Sequence, residues 1–76
     1  MLTLKEVKSL DVGDWIWIES GNGSYYAQVL TVGKDSIELK STVFEDLTDS
    51  AGWLYYYNYG TAWEAYKNKE QAKEAR

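Results

Sequence analysis

The chain has 76 residues, neither Cys nor His, and a formal charge of −4. A chain of this length forms one domain and buries only about three-fifths of the surface its unfolded form exposes, so each buried side chain has to be large. Without Cys or His there is no disulfide framework, no zinc-finger spacing, no thiol nucleophile and no imidazole base.

Aromatic rings supply the bulk: 4 Trp, 7 Tyr and 1 Phe, each removing roughly 150 to 250 Å² from water when buried. No apolar run approaches the roughly 20 residues of a membrane span. Met1 is followed by a mixed polar stretch rather than a signal-peptide core. The expectation is a soluble, cytoplasmic protein with no membrane partner. Charge is uneven: residues 1–66 carry Lys5, Lys8, Lys34 and Lys40 against ten carboxylates, whereas residues 67–76 carry four basic residues against two acidic ones. An acidic body with a basic tail disfavours phosphate-backbone binding by the body itself.

In chain order, Thr3 reads as a helix N-cap with Glu6 as its reciprocal partner, and Leu2 and Val7 form a hydrophobic staple. Leu4, Val7 and Leu10 then share one face of a short helix that covers an open end of the fold. Residues 11–14 make a turn in which Gly13 supplies a backbone angle closed to β-branched residues. Residues 14–19 form the first strand, with Ile16 and Ile18 on one face and Trp15 and Trp17 on the other. Gly21, Asn22 and Gly23 turn the chain into a second strand at residues 24–32, giving a hairpin. Its Tyr25, Ala27 and Val29 face inward and its Gln28 outward.

The third strand spans residues 36–44, with Ile37 and Leu39 inward. Residues 45–52 read as a polar loop, with a short helix capped by Thr42 and Glu45 as an alternative. Residues 53–57 form the fourth strand, and Asn58, Tyr59 and Gly60 a tight turn. Residues 61–67 admit a fifth strand or a helix capped by Thr61 with Glu64; the strand is preferred. The expected interior is Ile16, Ile18, Tyr25, Ala27, Val29, Ile37, Leu39, Val43 and Leu54. Residues 1–68 form the domain, and residues 69–76 a frayed helix or disordered tail with nothing to bury.

Gly13-Asp14 before the first strand, the run from Tyr25 to Val29 on the second, and Tyr57-Asn58-Tyr59-Gly60 before the last resemble the landmarks of Tudor-type SH3-like barrels. The resemblance implies a five-stranded, mainly antiparallel SH3-like barrel, although Asn58 stands where an Asp is usual. The ending from Tyr59 to Lys67, with its Tyr-Gly, Trp63 and Ala65-Tyr66, is similar to small uncharacterised proteins encoded by prophages and mobile elements of Gram-positive bacteria. That likeness implies a phage-type protein of the bacterial cytoplasm.

A small barrel cannot enclose eleven Trp and Tyr rings, so some lie outside, and exposed rings beside carboxylates suit a partner with basic side chains. The candidate partner-binding residues are Trp15, Trp17, Tyr26, Tyr55 and Tyr57, with Glu19, Asp46 and Asp49 as an acidic rim. Trp15 and Trp17 are covered by the chain's own ends, open to a partner, or the seam of a weak homodimer. The expected partner is a protein or basic peptide segment. The alternative is single-stranded nucleic acid, held by the same rings with Lys67, Lys69, Lys73 and Arg76. No cofactor or metal is expected, because the pairs Glu45-Asp46 and Asp11/Asp14 lack a calcium-loop pattern and have no His beside them. The serines have no base to activate them, so the chain reads as a binding module and not an enzyme.

Overall fold

The computed structural model describes residues 1–21, 23–41 and 50–75. Helix α1 (Leu4–Lys8) starts at the expected cap. Thr3 Oγ1 accepts the Glu6 N–H at 3.1 Å, and a Glu6 carboxylate oxygen accepts the Thr3 N–H at 2.9 Å. Leu2 and Val7 are buried, while Leu4 and Leu10 pack half-buried against the core.

Five strands follow: β1 (Trp15–Ser20), β2 (Gly23–Val32), β3 (Ser36–Ser41), β4 (Ser50–Tyr55) and β5 (Trp63–Tyr66). They form one antiparallel sheet in the order β4-β3-β2-β1-β5. Gly13 enters β1 at φ +97°, the left-handed angle expected of it. Gly33 leads into β3 so tightly that a Cβ there would sit 2.8 Å from the Ser36 carbonyl oxygen.

The register sorts the sheet into two faces. Ile16 pairs with Ala27, Val29 with Leu39, and Ile37 with Leu54. Of these, Ile16, Ala27, Val29, Ile37 and Leu39 are buried, and Ile18 joins them. Leu54 and Tyr25 are only half-buried, and Val43 lies outside the described residues. Gln28, expected to be exposed, is half-buried because its side-chain amide reaches back to the Gly13 carbonyl at 3.3 Å.

The last strand is where the sheet curls into a half-barrel. Trp63 opens β5 at one edge of the sheet, yet its indole N–H donates across the interior to the Tyr55 carbonyl at the end of β4, the opposite edge, at 2.9 Å. The same N–H lies 3.1 Å from Asn58 Oδ1. Tyr59 stacks edge-on against Trp63 at 4.7 Å, and its hydroxyl donates to the Leu2 carbonyl and accepts the Ala65 N–H at 3.3 Å. Leu2 N–H donates in turn to the Ala65 carbonyl at 2.8 Å. The N-terminal segment is thereby sewn to β5, and Trp63, Ala65 and Tyr66 are all buried.

Two expectations change, and one falls outside the described residues. β4 begins at Ser50 and ends at Tyr55 rather than covering residues 53–57, because Tyr56 N–H donates to the Asp35 carbonyl at 3.0 Å and the chain enters a one-turn 3-10 helix (Tyr56–Asn58). The turn carries Tyr56 inward, where its hydroxyl donates to the Gly33 carbonyl at 2.9 Å. Residues 42–44, expected to extend the third strand, and the loop reading of residues 45–49 lie outside the described residues. The tail also has something to bury: helix α2 (Lys69–Glu74) is capped by Asn68, whose side chain accepts the Gln71 N–H at 2.8 Å, and Ala72 is 1% exposed. Among the described residues no helix is long and apolar enough to cross a membrane.

Candidate functional site

Alternation puts the rings that the core does not take on the outer face of the sheet. There Trp17 pairs across with Tyr26 on one side and Tyr66 on the other, while Trp53 stands opposite Glu38 and Tyr55 opposite Ser36. These are two clusters and not one. Trp15, Trp17 and Tyr26 gather on β1 and β2, with the Trp17 and Tyr26 rings edge-to-face at 4.8 Å. Tyr55 and Tyr57 lie 5.9 Å apart at the far edge, beyond the outward side chains of β3. Strand spacing alone separates β4 from β2 and β1 by about 10 to 14 Å. Tyr59, next in the ladder by sequence, has left it for the interior.

The first cluster is partly roofed by α2. Lys69 N–H donates to the Tyr26 hydroxyl at 3.0 Å, and Lys69 Nζ lies 5.8 Å from the centre of the Trp17 ring. Trp17 is half-buried and Tyr66 is 4% exposed, whereas Trp15, further down β1, remains 50% exposed. Glu19 is held to the cluster by the Trp17 indole N–H, which donates to its carboxylate at 3.2 Å. Asp46 and Asp49 lie outside the described residues.

Below Trp15, between α1 and the start of β1, opens a groove of about 370 Å³, within the range of ligand sites. Leu2, Leu10 and Ile16 make its apolar lining, Trp15 stands at one wall, and Glu6, Asp14 and Lys67 supply charge. Both carboxylates are fixed by backbone: Glu6 by the Thr3 N–H, and Asp14 by the Asp11 N–H at 2.9 Å. The hydrogen bonds from Thr3 hold the Glu6 carboxyl below the usual carboxylate range. Burial pushes the hydroxyls of Tyr25, Tyr56, Tyr59 and Tyr66 upward, with the neighbouring Glu64 adding to the effect at Tyr66. Such groups keep their protons at neutral pH. Among the described residues no three acidic side chains gather in a way that could hold a metal ion.

The groove was not foreseen from sequence. Its carboxylates belong to a helix cap and a turn, and nothing local tells that α1 lies against the start of β1. The roof over Trp17 did leave a signal, since Asn68 and Gln71 have the spacing of a capping box; the Gln71 side chain accepts the Lys67 N–H at 2.8 Å, one residue before the cap. No protein-family profile, curated protein or solved structure matches the chain.

Proposed function

We propose that this chain is a non-enzymatic SH3-like barrel of phage or mobile-element type that binds a basic protein or peptide segment in the bacterial cytoplasm. The order of strands, with a 3-10 turn before a short last strand that returns to β1, supports the barrel reading. The likeness of its ending to prophage-encoded proteins supports the origin. The observation that carries the binding function is the groove at Trp15. Trp15, half exposed, lines the groove together with Leu2, Leu10 and Ile16, beside two backbone-fixed carboxylates and one ammonium. Indole faces and carboxylates together suit Lys or Arg side chains through stacking, cation–π attraction and charge. The Lys69 ammonium already lies over Trp17 within the chain.

The test is a fluorescence titration with peptides alternating Lys and Val. Trp15→Ala is expected to weaken binding by about 2 kcal/mol, the size of an aromatic hot spot. Unchanged affinity in that variant sinks the reading. Lys67 and Lys69 flank the same indoles, which gives single-stranded nucleic acid a second claim. Oligonucleotide binding that falls steeply with salt, with none to the peptide, would favour it.

A further inference from the structure

Two hydrogen bonds establish which way the backbone of β1 faces. Gly13 N–H donates to the Val29 carbonyl and Val29 N–H donates to the Asp14 carbonyl, both at 2.8 Å. Antiparallel ladders alternate, so from Asp14 onward the rungs toward β2 fall on Ile16, Ile18 and Ser20. Trp15, Trp17 and Glu19 therefore present their N–H and C=O groups to the other side. There β5 answers Glu19 with Glu64 and Trp17 with Tyr66, and its pairing stops. One more rung in the same register would set Asn68 opposite Trp15, but Asn68 opens α2 instead and its carbonyl accepts the Ala72 N–H at 3.3 Å. Beside this truncated edge lies the groove, floored by Leu2, Leu10 and Ile16.

We propose that the groove admits an extended peptide as a continuation of the β5 ladder, hydrogen-bonded through its main chain to Trp15 N–H and C=O. This rests on the peptide-binding reading above and specifies how the peptide is held. In an extended chain alternate side chains point to opposite sides, so one apolar residue enters the Leu2, Leu10 and Ile16 floor while its neighbours pass Trp15 and the rim. The rim carries Glu6 and Asp14 against Lys67, which selects basic neighbours. The occupant is thus a short strand with an apolar residue between two Lys or Arg. Main-chain pairing supplies affinity with little demand on sequence, and the floor and rim supply the choice.

The experiment uses the full chain, ¹⁵N-labelled, titrated with the capped peptide Lys-Val-Lys-Val-Lys and with the same peptide N-methylated at its central residues. Pairing predicts a shift of the Trp15 backbone amide, slower exchange of that hydrogen on saturation, and a loss of affinity of about fivefold or more on N-methylation, as expected for removed main-chain hydrogen bonds. If the parent peptide binds and Trp15→Ala weakens it, yet N-methylation makes no difference and only the indole signal moves, the ladder inference is wrong while the binding function stands. If Trp15→Ala leaves affinity unchanged, the binding function fails first. A Trp15 amide unmoved by the parent peptide at millimolar concentration overturns the inference outright.

Discussion

Trp17, Tyr26 and Tyr66 on β1, β2 and β5 and Trp53 and Tyr55 on β4 are alike in residue type and in the face their strands assign them, and Tyr57 lies beside Tyr55 from the 3-10 turn. Their surroundings differ. Tyr66 is 4% exposed and Trp17 half-buried under the helix that follows β5, whereas Trp53, Tyr55 and Tyr57 are 46%, 49% and 85% exposed. Alternation decides which side of a sheet a ring takes; cover depends on where the chain goes next. Trp53 and Tyr55 precede a 3-10 turn that carries Tyr57 and takes Tyr56 inward, and the β1–β2 cluster meets a capped helix that crosses outward. Ring content is therefore a poor measure of how much aromatic surface the molecule offers a partner.

The contrast is sharpest at the ring that links the two edges of the half-barrel. Trp63→Ala should cost about 3 to 5 kcal/mol in urea unfolding, since it empties a fully packed indole site and frees the Tyr55 carbonyl. A loss below about 1 kcal/mol would show that the half-barrel closes without it. Removing residues 69–76 should cost about 1 to 2 kcal/mol, by uncovering Tyr66 and part of Trp17 at roughly 25 cal/mol per Å², and should shift Trp fluorescence to the red. No change in either would make the two clusters equivalent after all.

Alkaline pH probes the same division through the tyrosines. Burial raises Tyr59 and Tyr66 above their unfolded value of about 10, so the folded chain favours their neutral forms. Their contribution is full below that value and fades as pH rises from it through the folded values, because the unfolded chain ionises first. Stability against urea should decline above about pH 10, and less so in Tyr59→Phe, which carries no proton to lose. An identical decline in that variant would remove Tyr59 from the account. The smallest effect belongs to the bare cluster: Tyr57→Ala should stay within about 0.5 kcal/mol of the parent, as surface sites without packing roles do. A larger loss would reveal a covering that Tyr57 has with its own chain.

Much of the architecture follows from short-range chemistry that a sequence displays. The Thr3–Glu6 cap, the angle at Gly13 and the inward faces of β1, β2 and β3 each depend on neighbours a few residues apart. What escapes such reading is where elements meet. The 3-10 turn at Tyr56 answers a carbonyl on Asp35, Ala72 is the buried residue of an otherwise polar helix, and the groove is lined by Leu2, which is bonded to Ala65 across the fold. Asn58 illustrates the difference: by pattern it departs from an expected Asp, while in the fold its side-chain oxygen receives the Trp63 indole N–H. The residues of the distinctive ending are in large part packing residues, so their spacing reports on barrel closure before it reports on any ligand.

The seam between Leu2 and β5 also sets a schedule for synthesis. A ribosome makes Leu2 long before its partners: its N–H waits for the Ala65 carbonyl, and its carbonyl waits for a hydroxyl on Tyr59, 57 residues later. Until β5 is made the β1–β2 hairpin has neither Trp63 nor Ala65 to close upon, and its apolar face stays open to solvent or to whatever binds nascent chains. Long-range closure of this kind slows folding. The chain should therefore reach its native state only after the ribosome has passed β5, in one late step and not strand by strand.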